Sequence, residues 1–389
     1  MMGIHNYDRN IEAALDRLKR AKIAKANYGF IIDYYNYLCA RGMSKARINR
    51  YLQTLKLFGE LSRKNFKRME KKDLIALVGV IESRDYTNWT KMTYKSMLKK
   101  FFMWLHDLEE PNDLVKWIKV SCKNIKRMPS ELLTQDEVKQ LIIVCKNYRN
   151  RALVSMLYET GCRIGELGNL LIKHVSFDKY GGILMVDGKT GQRRVRIISS
   201  VPYLAQWLDN HPVRRPDAPL WASLPPNDGR QLDYASICRI IRVLAKRAGI
   251  TKRVNPHSFR HARATHLANK LTEAQMKEYF GWVQGSDMAS VYIHLSGRDV
   301  DNALLRINGI EVEETKTEDS MSLINCTRCN HSNAPTSTYC NKCGMLLDIK
   351  EAMDLERVNR EKDEVMKLIL SDPEIKKLAI ERLKVRQNG

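Results

Sequence analysis

A mainly α-helical fold with a small β-sheet (an α+β arrangement) is what this sequence predicts, on three observations. Apolar residues recur at helical spacing over residues 10–107, and again from 134 onward and over 230–248 and 257–280. One stretch, ILMVDGKTGQRRVRII at 183–198, switches to the pattern of two short strands around a glycine-containing turn. Near the C-terminus, two Cys-x-x-Cys pairs mark a small module of a different kind.

The first region divides into five helices. Ile11, Leu15 and Leu18 line the first, and Phe30, Tyr34 and Leu38 the second, which stops near Arg41-Gly42. Ser44 is placed to cap a third, with Ile48, Tyr51, Leu52, Leu55 and Phe58 on one face. Leu74, Leu77, Val78 and Ile81 form a fourth. Thr90 is the expected cap of a fifth, carrying Tyr94, Met97, Leu98, Phe101, Phe102 and Leu105. Pro111 and Pro129 bracket a stretch with little periodicity, read as a connection. The next domain opens at Thr134, where Thr-Gln-Asp-Glu fits a capping box ahead of Val138, Leu141 and Ile142. The acidic, threonine-bearing run at 311–319 reads as a linker. Leu355, Val358, Val365, Leu368 and Ile369, then Ile375, Leu378 and Leu383, predict amphipathic helices at the end of the chain. The expected divisions are 1–110 (helical), 111–130 (connection), 131–310 (the larger domain), 322–348 (the cysteine module) and 349–389 (C-terminal helices).

Sixty-six Lys and Arg against 44 Asp and Glu give a formal net charge of +22, which favours a polyanion partner, because neutralising phosphates releases condensed counterions. The basic residues crowd the polar faces of the N-terminal helices, as in RKNFKR and KMTYKSMLKK, a surface suited to tracking phosphates. No apolar run approaches the ~20 residues of a membrane span, and the N-terminal stretch lacks the apolar core of a signal peptide. A cytoplasmic, nucleoid-associated location without membrane contact is expected. Cys39, Cys122, Cys145, Cys162 and Cys238 lie singly, as in a reducing compartment.

Five positions carry candidate chemistry. Arg163 sits in TGCRIGEL, near an expected helix start, with the side chain best shaped to grip two phosphate oxygens; Glu166 is placed to hold it. His257 and Arg260, three apart in NPHSFRHARATH, share a helix face, with Pro256 in the first turn. His261 and His266 read as a polar face of that helix. Lys189 lies at the tip of the hairpin, where it can approach a DNA groove and protonate a leaving oxygen. Tyr292, in SVYIHL, is one of sixteen tyrosines; with a phenol pKa of ~10 it needs cationic neighbours and a base to attack at neutral pH. Tyr279 is its nearest rival, but sits in apolar spacing with Met276 and Phe280. Cys326, Cys329, Cys340 and Cys343 have the spacing of a tetrahedral zinc site, with Gly344 permitting a tight knuckle. With four thiolates, one such Zn2+ is structural.

The order TGCRIGEL, GK in a hairpin, HSFRHARATH, a GW dipeptide and VYIH resembles the tyrosine recombinase family (phage integrase, Xer-like) over about residues 131–300. The N-terminal region is similar to that family's core-binding domain. The resemblance implies that Arg163 and Arg260 clamp the scissile phosphate, Lys189 acts as general acid, and His257 assists proton transfer with the tyrosine. It also implies that Trp282 buttresses the phosphate and the tyrosine, and that Tyr292 attacks to give a 3′-phosphotyrosyl link. Neither nucleotide nor catalytic metal is implied. The partners implied are double-stranded DNA and copies of the chain, in a tetramer that exchanges strands through a Holliday junction. The interval from Trp282 to Tyr292 is one residue longer than the family's usual spacing, and Gly285 is placed to absorb it. Val300, Leu304 and Ile307 follow as the helix such proteins donate to a neighbour. Two alternatives stand beside this reading: a type IB topoisomerase that relaxes DNA as a monomer, and a catalytically silent DNA-binding regulator on the same fold.

Overall fold

The computed structural model describes residues 3–62, 64–121, 131–188, 191–226, 229–268, 270–295 and 320–348, with positions 308, 353, 357, 360–364, 366 and 367. Lys189, the 311–319 linker and the helix expected after Tyr292 lie outside the described residues, as does most of the C-terminal helical region. The chain divides into two units, 1–127 and 128–389. No described helix is long and apolar enough to cross a membrane.

The first unit holds α1 (Tyr7–Arg20), α2 (Lys25–Ala40), α3 (Lys45–Leu61), α4 (Lys71–Ser83) and α5 (Asn88–Leu105). Their apolar stripes meet around Leu18, Ile31, Phe58, Phe66, Leu74, Leu98 and Phe101, all fully buried. Buried Asn27 is satisfied: its amide donates to the Lys64 carbonyl at 3.0 Å and accepts from the Phe66 N–H at 2.8 Å. Two details differ from the sequence pattern. The cap of α5 is Thr87, whose Oγ1 accepts the Thr90 N–H at 3.3 Å; Thr90 itself is already helical. Val115 and Ile118, from the stretch read as a connection, are buried in this unit's core. Each such side chain stabilises the packing by ~1.5–3 kcal/mol, so the segment is held by the helical unit.

The second unit begins with α6 (Gln135–Ile143) and the expected capping box: the Thr134 and Glu137 side chains each accept the other's backbone N–H, at 3.1 and 2.8 Å respectively. Helix α7 (Tyr148–Thr160) is buried over most of its circumference, as a central core helix must be. After α8 (Ile164–Gly168) come β1 (Val175–Asp178), β2 (Gly181–Gly188) and β3 (Gly191–Ile197). They form one antiparallel sheet in the order β1-β2-β3, with Leu184 opposite both Val175 and Val195 and Gly188 opposite Gly191. The hairpin expected at 183–198 is therefore β2–β3. The added strand β1 is largely exposed, so its sequence carries no buried alternation.

Helices α9 (Val201–Asp209), α10 (Tyr234–Arg247), α11 (Pro256–Ala268), α12 (Glu273–Phe280) and α13 (Met288–Leu295) complete the body. A buried carboxylate fixes the sheet to α7: Glu159 accepts the backbone N–H groups of Ile198, Ser199 and Ser200 at 2.6, 2.9 and 2.7 Å. The sheet's exit is thus set against the helix whose end forms the site. Strands β4 (Ile324–Asn325) and β5 (Ser332–Asn333) build the cysteine module, which docks on the same unit. There Tyr203 of α9 shares a 2.7 Å hydroxyl bond with Thr336 and accepts its backbone N–H at 3.2 Å.

Candidate active site

Two helix C-termini converge to make the site. Helix α7 ends at Gly161 and α12 at Gly281, both left-handed, with φ of +53° and +59°. A Cβ at Gly161 would lie 2.4 Å from the Phe280 ring, so glycine is required there for space as well as for backbone. Carbonyls freed at these ends hold two arginines. Arg260, buried on α11, donates to Gly161 O at 2.8 Å and Phe280 O at 2.7 Å. Arg163, the N-cap residue of α8, donates from both terminal nitrogens to Gly281 O at 3.2 Å.

Glu166 organises the cationic side. Its carboxylate is almost fully buried and accepts from Arg163 Nη1 at 2.9 Å, the Arg163 N–H at 2.9 Å and Arg193 Nη2 at 2.7 Å. Burial by itself raises the carboxyl pKa; the hydrogen bonds and charge of Arg193, with the bonds from Arg163, outweigh it and hold the group below its ordinary value. Glu166 is therefore ionised, one negative charge among three guanidiniums. Burial foremost, and the Arg163 charge next, push Arg260 down to about 10, which leaves it protonated at neutral pH.

The aromatic side is a stack. Trp282 lies on Phe280 at 4.9 Å between centroids and on Tyr292 at 5.5 Å, the latter pair within 3° of parallel. The Arg260 guanidinium sits 5.2 Å from the Phe280 centroid and 5.5 Å from that of Trp282. Tyr292 is 3% exposed, on α13, and its hydroxyl is hydrogen-bonded to Nδ1 of His261. The longer interval before it is taken up by the turns between Trp282 and α13. Tyr279 is different: its hydroxyl donates to Glu159 O at 2.5 Å, and burial pushes its pKa up to about 12. That phenol is locked neutral in a structural bond.

Arg163, Arg260, Trp282 and Tyr292 are thus linked through the 280–282 segment, and Lys189 lies outside the described residues. His257 is exposed on α11, one turn before Arg260, and the Tyr292 hydroxyl is hydrogen-bonded to Nδ1 of His261. Sequence reasoning missed two residues of this site. Arg193 is in phase with buried Val195 and Ile197 on β3, so period-2 counting places it on the inward face. His261 directly follows Arg260, but was grouped with a polar face.

The four module cysteines form a separate cluster. Their sulfurs all lie within 4.8 Å of one another, with Cys326–Cys343 at 3.5 Å and Cys329–Cys340 at 3.6 Å.

Arg163 and Arg193 thus gather on Glu166, and Arg260 lies over the aromatic stack that ends in Tyr292. The chain matches the phage integrase family over residues 131–298. It is 31% identical over 190 residues to tyrosine recombinase XerA of Pyrococcus furiosus, covering 48% of this chain and 64% of that protein. To tyrosine recombinase XerC of Lactobacillus leichmannii it is 29% identical over 185 residues, covering 44% and 60%. The chain thus spans a little under two thirds of the length of these relatives. Two solved structures share the fold. XerH bound to palindromic difH substrate matches with a TM-score of 0.55 and 19% identity, over 79% of this chain and 97% of that one. A lambda integrase dimer bound to a COC′ core site matches with a TM-score of 0.56 and 16% identity, over 70% and 78%.

Proposed function

We propose that this protein is a site-specific DNA recombinase that cleaves and rejoins double-stranded DNA through a 3′-phosphotyrosyl intermediate on Tyr292. The observation that carries the reading is the parallel stack of Tyr292 on Trp282, itself beneath the Arg260 guanidinium. It sets a phenol beside fixed positive charge, which is what attack on a phosphodiester requires. Arg163 and Arg260 clamp the non-bridging oxygens and Trp282 buttresses the tyrosine. Lys189, which follows β2 in sequence, protonates the departing 5′-oxygen, and His257, exposed one turn back on α11, assists proton transfer with the tyrosine. The ester conserves the bond energy, so rejoining needs neither nucleotide nor catalytic metal. Assembly into a tetramer on paired DNA sites, with strands exchanged through a Holliday junction, belongs to the same proposal.

The cysteine cluster is proposed to hold one structural Zn2+ on Cys326, Cys329, Cys340 and Cys343. Zn–S bonds of ~2.3 Å in a tetrahedron place sulfurs ~3.8 Å apart, close to the distances found. The ion would cross-link the two knuckles, with no coordination position left for a substrate.

The test uses the full chain, a duplex that it has selected from random-sequence DNA, and a nick that lets the cleaved end diffuse away. In EDTA, the wild type is expected to form a detergent-resistant protein–DNA adduct and Tyr292→Phe none. No wild-type adduct on a site it binds would overturn the enzyme reading in favour of a silent DNA-binding protein. An adduct surviving in Tyr292→Phe would relocate the nucleophile. Relaxation of a supercoil bearing a single site would favour a topoisomerase.

A further inference from the structure

We infer that His261 is the proton acceptor for the Tyr292 nucleophile, a catalytic role beyond the imidazole at His257; the inference rests on the recombinase reading above. The tyrosine hydroxyl is hydrogen-bonded to Nδ1 of His261. The two rings lie 5.8 Å apart between centroids and 35° from parallel. A proton acceptor must be within hydrogen-bond reach of the proton it takes, and His261 is.

The surroundings suit the transfer. Tyr292 is buried on an apolar bed that includes Ala264, Ala268, Met276, Phe280, Trp282 and Ala289, which gives a phenolate little solvation of its own. A partner that takes the proton in place removes the need to form that phenolate free. His261 follows Arg260 on α11, so one helix turn delivers both the phosphate clamp and the acceptor. Several polar side chains on or near α11 bond elsewhere. Tyr158 bonds His266, Arg263 donates to Glu159 O, and Tyr279 donates to the same carbonyl.

The step balances without a co-reactant. As the Tyr292 oxygen bonds to phosphorus, its proton passes to Nδ1 of His261, with the ring in its Nε2–H form beforehand. The P–O5′ bond breaks, and the 5′-oxygen takes a proton from the general acid. On rejoining, the 5′-hydroxyl attacks, the phenolate leaves, and the imidazolium returns the proton.

Asparagine places an oxygen close to where Nδ1 stood, so His261→Asn keeps an acceptor for the hydroxyl but cannot take up its proton at neutral pH. His261→Asn and His261→Ala are therefore both expected to slow single-turnover adduct formation by about 10²-fold, with DNA binding unchanged. A second substrate, with sulfur replacing the bridging 5′-oxygen, needs no proton on its leaving group. It should leave both variants equally slow, and should restore a variant lacking the general acid. Wild-type rates in His261→Asn would reduce the bond to a positioning contact, and faster rates would make it a device that stows the nucleophile; either overturns the inference. Rescue of both variants by the sulfur substrate would also overturn it, by moving His261 to the leaving-group side. If the wild type itself forms no adduct on a bound site, the recombinase reading fails first, an outcome distinct from these.

Discussion

Neutralising Glu166 should cost the second unit much of its margin of stability. Glu166 is 2% exposed and Arg193 12% exposed, so their 2.7 Å pair is buried, whereas Arg163 is 34% exposed. The Arg163 arm is screened by solvent and adds at most ~1 kcal/mol. The Arg193 arm dominates, because removing one member of a buried pair leaves the other charged and unmatched, at ~3–5 kcal/mol. Glu166→Gln keeps the shape and one acceptor oxygen, so the lower end, about 3 kcal/mol, is expected. For a unit of this size that is a fall in Tm of roughly 6–12 °C, readable by calorimetry or by urea titration. The sign with pH follows from the lowered carboxyl pKa. The stabilisation is complete above the ordinary value of 4.5 and is lost as pH falls through the lower folded value. The gap between wild type and Glu166→Gln should therefore close in acid. A variant within 1 kcal/mol of wild type at neutral pH, or a gap that widens in acid, would refute the assignment of Glu166 as the charge that holds the arginines.

Gly161→Ala should destabilise the same unit by roughly 1–3 kcal/mol, because it forces a Cβ onto a left-handed backbone and into the Phe280 ring. Urea midpoints will show it, and a wild-type midpoint would mean that α7 can end otherwise. Purified protein should carry one equivalent of zinc by elemental analysis, and Cys326→Ser should lose it. The same substitution should free the Tyr203–Thr336 contact, detectable as protease cleavage within 322–348; full zinc content in Cys326→Ser would refute the four-thiolate site.

The sequence revealed the helices of the first unit because each buries an apolar stripe against the same core. It misplaced the start of α5 for a physical reason. Trp89 is 63% exposed and contributes nothing to the stripe, so the first turn, capped by Thr87, is silent to periodicity. Strand β1 failed likewise, since its residues alternate against no buried layer. Val115 and Ile118 were hidden because two isolated anchors do not make a period. In the site, Arg163, Arg260 and Tyr292 stood out by residue type and order. Arg193 and His261 did not, because their significance lies in contacts between β3 and α8 and between α11 and α13.

Those contacts also explain why the pocket remains positive after it has folded. Buried guanidiniums are usually stabilised by carboxylates, which fix their position but cancel their charge. Here most of the holding is done by neutral oxygens. Arg260 rests on Gly161 O and Phe280 O, and Arg163 on Gly281 O as well as Glu166. Carbonyls at a helix C-terminus carry the negative end of the helix dipole, so they orient a cation without neutralising it. Three guanidiniums against the single carboxylate of Glu166 leave a net of about two positive charges on this cluster. A phosphodiester carries one negative charge and reaches two as it becomes pentacoordinate, so on the recombinase proposal the cluster matches the charge of that state. On that proposal the two left-handed glycines that end α7 and α12 serve the chemistry: they expose the carbonyls that let arginine be buried without being fully neutralised.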